Sequence, residues 1–466
     1  MPSISFILND RFIKTESVST LPLVDYIRQN ALLKATKIGC REGDCGACTV
    51  IVGTLEQGEI QYRTSTSCLM PIGNAHGKHI ITLEGLTPPN ELNPVQAAFV
   101  QTQATQCGFC TPGFIVSLSA AILSSDLLNE EQLLTAIDGN ICRCTGYQSI
   151  LRAVRVLVET WNGNRKSLRD LKDEMVLFDL EKIKSQLSAF AEKESNSMKT
   201  KFVAGGTDYM VQHGYPHMGK LPADLSLQPA EPHFRSIEKQ CDGYVIGAGV
   251  TVTQLMEDPD IKIDFPELNS FFYRISSTPI RNDATIGGNL VNASPIADFA
   301  MILLVLDAVL LLKSSKGDRK IALKNFYLDY KKLDLNDGEW VHSIWIPQKF
   351  GRLNFEKISK RDILDIASVN SGAQVLLDDG TIKRVLLSAG GVAPIPTLLN
   401  QTQSYLTGKE LTIELLKEAL EIAGQEIKPI SDIRGSADYK RGLLKNLVLA
   451  HFHELAPETI SGENLW

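Results

Sequence analysis

The chain has 466 residues, 44% hydrophobic and 22% charged, enough for three or four domains with sizeable cores and too apolar for a disordered chain. A net charge of −7 without any Lys/Arg block argues against nucleic acid as a partner. The start, Met1 to Asp10, lacks the basic residues and apolar run of a signal peptide. The longest apolar stretch, residues 301–312, contains Asp307 and is too short for a bilayer, so it reads as a buried helix or strand. No membrane contact and a cytoplasmic location are expected, where clustered cysteines are more often metal ligands than disulfides.

Residues 1–86 read as a small β-rich unit. Residues 3–8 alternate like a strand, 21–33 have helical spacing, and 49–52 and 79–83 read as strands. Between them lie Cys40, Cys45, Cys48 and Cys68, spaced C-x4-C-x2-C with the fourth thiol nineteen residues on. That is the ligand spacing of a plant-type [2Fe–2S] cluster. Gly39, Gly43 and Gly46 let backbone N–H groups turn inward toward sulfur, and a zinc site fits this loop poorly.

Residues 87–162 change to helical character. Asn93-Pro94 opens one helix, Thr111-Pro112 opens another directly after Cys110, and Asn129 with Gln132 makes a capping box for a third. A fourth runs from near Gly146 to Trp161, just after Cys144. Cys107, Cys110, Cys142 and Cys144 form a second tetrad, C-x2-C then C-x-C. Its halves precede helix N-termini, where the dipole stabilises thiolates. Spacing leaves two readings of this tetrad, a second iron–sulfur cluster or a structural zinc site. The ninth cysteine, Cys241, has no partner spacing and reads as an ordinary thiol.

Residues 163–198 are charged and read as a linker with some helix. An α/β pattern occupies 199–349, and a last domain, 350–466, has strand patterns at 368–377 and 381–388 and helix patterns at 413–423 and 439–455. A strand at 201–204 runs into Gly205-Gly206-Thr207-Asp208, and Thr285-Ile286-Gly287-Gly288-Asn289 repeats the double glycine. Each is either a cradle for a pyrophosphate or an ordinary tight turn. Gly247-Ala248-Gly249 starts like a dinucleotide fingerprint, but its sixth position is Val252, so it is discounted.

Taken together, these stretches resemble the xanthine dehydrogenase family of molybdenum hydroxylases. The resemblance rests on Lys37 to Val50, on Gln106 to Gly113, and on Gly139 to Tyr147. It extends through Val203 to Asp208, Thr285 to Asn289, and Ala293-Ser294-Pro295-Ile296-Ala297-Asp298, in the family's order. It implies a multidomain α+β fold: a β-grasp ferredoxin-like domain, a four-helix [2Fe–2S] domain, a two-part α/β FAD domain and a C-terminal α/β domain. It also implies that the chain is the iron–sulfur/FAD subunit of a split, bacterial-type member, with molybdopterin on a separate large subunit and a dimer of heterodimers as the assembly.

By that resemblance, electrons pass from the molybdenum site through the Cys107 tetrad and then the Cys40 tetrad to FAD and NAD+. Phe202, Val203, Ala204, Gly205, Gly206, Thr207, Asp208 and Tyr209 would wrap the FAD pyrophosphate. Thr285, Ile286, Gly287, Gly288 and Asn289 would hold it from the other side, and Asp298 would accept a hydrogen bond from it. Gln106 falls where relatives reach toward the pterin. The charged stretch Lys357 to Asp365, with Lys360, Arg361 and Asp362, falls where relatives place residues beside flavin and nicotinamide, or else is a solvated turn. Where animal relatives place an aromatic against the flavin, this chain has Ile275, preceded by Phe271, Phe272 and Tyr273. Xanthine or hypoxanthine, oxidised to urate in purine catabolism, is the expected substrate class, with an aldehyde or N-heterocycle as the alternative. A zinc-stapled scaffold and a flavin-free electron carrier are the readings outside this family.

Overall fold

The computed structural model describes residues 3–125, 129–163, 175–176, 178–191, 202–213, 226–227 and 232–461. The chain forms two compact units. One comprises Met1–Ala230 with Ser277–Ala284, the other Glu231–Ser276 with Thr285–Trp466.

The first unit starts with a five-stranded mixed sheet in the spatial order Arg11–Thr15, Ile4–Leu8, His79–Ile81, Thr49–Glu56, Glu59–Thr66. Successive residues of a strand point to opposite faces, and here both faces are covered. Val50 and Val52 pack with Phe6, Leu23 and Ile27 on one side, while Ile51 packs with Ile81, Val116 and Ala120 on the other. That is why residues 50–52 are apolar without alternation. The helix expected over 21–33 is shorter than its spacing suggests. It spans only Leu23–Asp25, widens to a π-helical stretch Tyr26–Asn30, and turns away at Leu32, whose φ is 60°.

Four helices, Pro94–Gln101, Thr111–Ser124, Glu130–Ala136 and Gln148–Gly163, close around Phe99, Phe114, Leu118, Ile150 and Val154. Asn93 with Gln96 and Asn129 with Gln132 form reciprocal capping boxes, each contributing roughly 1 kcal/mol. Within the stretch expected to be a linker, the helix Leu180–Ala191 buries Ile183 and Leu187 against Ile7. Residues 164–174, 177 and 192–198 of that expectation lie outside the described residues. Of the expected strand at 201–204, residue 201 lies outside the described residues, and Phe202–Val203 forms a strand paired in parallel with Ser226–Leu227.

In the second unit a five-stranded sheet runs Arg319–Ala322, Val309–Lys313, Trp340–Pro347, Gly243–Gly247, Ile237–Gln240. The apolar run 301–312 supplies two elements. Residues up to Val305 complete the fully buried helix Asp298–Val305, and the strand Val309–Lys313 follows a turn at Asp307 with φ 54°. Gly247 and Gly249 are explained by packing. A Cβ on Gly247 would lie 2.3 Å from the Phe234 carbonyl oxygen, and one on Gly249 would lie 2.4 Å from the Phe234 ring.

An antiparallel sheet, Arg352–Ile358, Val369–Asp378, Thr381–Ala389, Thr397–Leu398, then packs on the helices Ile413–Glu426 and Ala437–Leu455 through Val375, Leu387, Leu416, Leu444 and Phe452. Its first strand holds Lys357, which therefore belongs to a sheet and not to the charged loop expected there. No helix among the described residues is long and apolar enough to cross a membrane.

Candidate electron-transfer centres

The first tetrad sits where the loop 39–48 meets the end of the strand Glu59–Thr66. Arg41, Gly43 and Gly46 have φ of 61°, 81° and 66°, the left-handed backbone that folds a loop around its own interior. Backbone N–H groups of Glu42, Asp44 and Cys45 point to Cys40 sulfur, and that of Gly43 to Cys68. The N–H of Glu42 reaches Cys40 Sγ at 3.3 Å. Arg41 is pinned outward by a bidentate pair to the buried Asp25, at 2.7 and 2.9 Å.

The four thiols group two and two, Cys40 with Cys45 and Cys48 with Cys68, each pair in hydrogen-bond contact. The Cys45 thiol donating to Cys40 pulls the latter down to about 5, against the opposing effect of burial, and Cys45 is pushed up in return. A pair-wise arrangement suits two tetrahedral irons bridged by sulfide, each taking two thiolates. Among the described residues no three His, Cys, Asp or Glu side chains are placed to hold a single ion.

The second tetrad repeats the pairing, Cys107 with Cys144 (Sγ to Sγ 3.6 Å) and Cys110 with Cys142. Cys110 caps the helix Thr111–Ser124. Burial, with the Cys142 contact, pushes the Cys110 thiol up to about 12, whereas the Phe109 N–H, then the Cys144 thiol, lowers Cys107. Thr145 Oγ1 lies 3.2 Å from Cys142 Sγ, and the N–H of Cys142 donates to the Tyr147 hydroxyl at 3.0 Å. The two tetrads differ in exposure. In the first, Cys48 and Cys68 are buried and Cys40 and Cys45 half-buried; in the second, Cys142 is buried and Cys110 half-buried, but Cys107 and Cys144 are exposed and neighbour the exposed Phe109, Ile141 and Tyr147 in sequence.

The two loops touch. Ile141 N–H donates to the Cys45 carbonyl at 3.1 Å, and Asn140 Nδ2 donates to the Gly46 carbonyl at 3.1 Å while its Oδ1 accepts from Ser117 Oγ at 2.8 Å. A Cβ on Gly113 would stand 2.2 Å from the Gly46 oxygen. Nothing in the cysteine spacing marks Asn140 or Gly113. The clue lies in a buried amide immediately before a ligand loop, which spacing alone does not reveal.

Val203 to Tyr209 belong to the first unit and Thr285 to Asn289 to the second. Gly205 is required by close packing, since its Cβ would meet the Asp283 carbonyl oxygen at 1.8 Å, and Gly206 has φ 86°. Thr207 and Asp208 begin the helix Thr207–His213, in which Tyr209 stacks on His213 at 4.6 Å. The Tyr209 hydroxyl is buried without a hydrogen-bond partner among the described residues. In the second unit Thr285 caps the helix Ile286–Asn292, Gly287 packs on Ala248, and the buried Asn289 Oδ1 has no partner either. Each of these orphaned polar atoms, taken within its own unit, lies on a stretch expected to bind FAD and fits a polar ligand group.

Asp298 is already engaged, accepting from Lys357 Nζ at 2.8 Å and from Asn370 Nδ2 at 2.5 Å. Lys357, its side chain almost fully buried, also donates to the Arg274 carbonyl. Ile275 and Phe272 are buried core residues, while Tyr273 is exposed. Lys360, Arg361 and Asp362 form an exposed turn in which Arg361 pairs with Asp365 at 2.5 Å.

Four domain families match along the chain: a 2Fe-2S iron-sulfur cluster binding domain at 6–73, a [2Fe-2S] binding domain at 82–155, an FAD binding domain in molybdopterin dehydrogenase at 180–349, and a CO dehydrogenase flavoprotein C-terminal domain at 355–455. The chain is 26% identical to xanthine dehydrogenase 1 of Arabidopsis thaliana, over 95% of this chain and 38% of that protein. It is 29% identical to aldehyde oxidase 2 of Macaca fascicularis, over 97% and 39%. It thus spans about two fifths of the length of these relatives. Among solved structures, quinoline 2-oxidoreductase of Pseudomonas putida 86 aligns over 56% of this chain and 90% of its own, at 23% identity and TM-score 0.52. Carbon monoxide dehydrogenase of Hydrogenophaga pseudoflava aligns over 53% and 86%, at 25% identity and TM-score 0.50.

Proposed function

A chain carrying these four domains in this order belongs to the molybdenum hydroxylase family, as its iron–sulfur and FAD part, and we propose that it carries electrons from a molybdopterin-binding partner subunit to NAD+. Two [2Fe–2S] clusters and FAD would supply one-electron carriers and a one-to-two-electron converter. Residues 1–86 hold the first cluster on Cys40, Cys45, Cys48 and Cys68, and residues 87–162 hold the second on Cys107, Cys110, Cys142 and Cys144. Residues 163–198 connect them to the FAD region, 199–349 with its C-terminal part 350–466.

The observation that carries this reading is the difference in exposure between two thiol tetrads whose loops are hydrogen-bonded together. The exposed pair Cys107 and Cys144 offers a port to a partner, and the Cys45–Ile141 contact leads inward to a shielded site. Phe202 to Tyr209 and Thr285 to Asn289 bind FAD. The orphaned Tyr209 hydroxyl in one unit and Asn289 Oδ1 in the other each support this reading. Lys357 and Asp298 form a fixed pair beside Arg274 and Ile275, and Lys360, Arg361 and Asp362 meet the nicotinamide nucleotide. A dimer of heterodimers in the cytoplasm completes the reading.

Xanthine or hypoxanthine is the proposed substrate, supported by the likeness to xanthine dehydrogenase. The 29% identity to an aldehyde oxidase supports an aldehyde instead. The purified chain should show two distinct [2Fe–2S] EPR signals on reduction, release one FAD on denaturation, and oxidise NADH with artificial acceptors while leaving xanthine untouched. Two zinc ions in a colourless protein would end the electron-transfer reading. Identifying the subunit that co-purifies, and assaying the complex with xanthine and with an aldehyde, decides the substrate.

A further inference from the structure

The segment Ser277–Ala284 belongs to the iron–sulfur unit although the chain on both sides of it belongs to the other. Its helix, Thr278–Asp283, lies along the first cysteine loop. Ile280 packs with Cys48, Cys68 and Leu69 and would touch a Cβ on Gly43 at 2.8 Å, and Asn282 Nδ2 donates to the Thr64 carbonyl at 2.8 Å. Asp283, the last residue of the helix, sits about one turn, roughly 5 Å, from Ile280. It accepts a hydrogen bond from Ser65 Oγ at 2.5 Å. Ser65 is on the strand leading to Cys68, two residues before Ser67, whose hydroxyl holds the Cys48 carbonyl at 2.6 Å.

The charges around this carboxyl are few. From the strand comes the Ser65 hydroxyl, and the cation Lys78 acts on the carboxyl through charge alone; the turn at Gly205 packs on the backbone carbonyl of Asp283. On its own helix, Arg281 is committed to Asp138 at 2.6 Å. Among the described residues no cation stands within ion-pair distance of Asp283. The residue as a whole is half-buried. Burial pushes it up to about 6, against the lowering effect of Ser65 and Lys78.

We propose that Asp283 is a redox-linked proton site, taking up one proton from solvent when the Cys40–Cys45–Cys48–Cys68 centre gains one electron, and releasing it when that electron leaves. The inference rests on the cluster reading above. An added negative charge close by disfavours the carboxylate, so the O–H bond forms on reduction and breaks on oxidation. Through the same linkage an ionised Asp283 makes the centre harder to reduce. Asp283 is thus a positioning residue for charge, without contact with the reacting atoms.

The test is an EPR-monitored redox titration of the full chain loaded with iron, sulfide and FAD, with dithionite as reductant, between pH 5 and pH 8. In the unsubstituted protein the midpoint potential of the first cluster should fall as pH rises through the region near pH 6 and above. In Asp283→Asn, which can keep the Ser65 bond, it should be flat, with the second cluster unchanged in both. Asp283→Glu should restore a slope. Ser65→Ala, which removes the one hydrogen bond favouring the carboxylate, should move the sloping region to higher pH, giving a second readout should Asp283→Asn fail to fold. The same slope in wild type and Asp283→Asn, or a change confined to the flavin, overturns the inference while leaving the clusters standing. Absence of any first-cluster signal in the unsubstituted protein overturns the cluster reading and this inference with it.

Discussion

Cys45 and Ile141 are joined backbone to backbone, carbonyl to N–H, at 3.1 Å. Ile141 directly precedes Cys142, so cysteines of the two different tetrads are linked through one peptide unit and one hydrogen bond. Asn140 and Gly113 make that approach possible, the amide by bridging Gly46 and Ser117, the glycine by having no Cβ where the Gly46 oxygen sits.

Asn140→Ala removes both bridging bonds and leaves the Ser117 hydroxyl to find another partner. A loss of about 1–3 kcal/mol of stability is expected, read by denaturant titration of the loaded protein. Gly113→Ala should cost about as much through overpacking and should also separate the loops. Iron bound per chain should therefore fall in Gly113→Ala more than in a control Gly442→Ala, where an added Cβ meets nothing.

Replacing Cys110 by Ser takes one thiolate from the exposed tetrad and none from the shielded one. One of the two [2Fe–2S] EPR signals should vanish and the other should persist unchanged. Persistence of both signals would show that Cys110 is not a ligand.

The cysteine spacings and helix caps were legible because each is local. A loop of fixed length with glycines, or Asn three residues before Gln, specifies its geometry within a few residues. The contacts holding the sites together were not legible. Asn140, Arg281 and Asp283 act on partners 94, 143 and 218 residues away, and no local pattern encodes such distances. The double glycines are ambiguous for a different reason. Gly205, Gly206 and Gly287 already answer to packing against Asp283, Pro71 and Ala248, so their presence did not by itself require a phosphate. The orphaned atoms of Tyr209 and Asn289 carry that argument better. The resemblance groups Lys357 with the charged segment 357–365. The strand Arg352–Ile358 took it because its partners in the sheet, from Val369 to Val375, set the register.

Arg281 and Asp138 form a buried pair, the two side chains 2% and 4% exposed, with Thr278 also donating to Asp138. Arg281→Met strands a carboxylate and should cost about 3–5 kcal/mol, whereas adding Asp138→Asn should recover a good part of it. A double-mutant cycle by chemical denaturation gives the coupling. Additive losses would show that the pair contributes nothing beyond its separate packing.

His451 is fully buried in the C-terminal helix, 3.1 Å from Asn354 Nδ2 at Nδ1 and 3.0 Å from Ser371 Oγ at Nε2. Ser371 gives its own proton to the Ser388 carbonyl at 2.6 Å, so His451 Nε2 must donate to Ser371 and Nδ1 must accept from Asn354. The ring is therefore neutral, and burial lowers its pKa to about 3. Unfolded, the same histidine takes a proton near pH 6.5. Between those values the unfolded state holds the extra proton, so this group's contribution to stability is full above about pH 6.5 and is lost as pH falls toward about 3. The slope is about 1.4 kcal/mol per pH unit. His451→Gln offers an amide in place of the ring without a titrating proton. Its urea midpoint should be lower than wild type at pH 7.5 and should converge on it as pH falls to 5. A constant gap between the two proteins across that range would mean that His451 stays charged or finds a partner when folded.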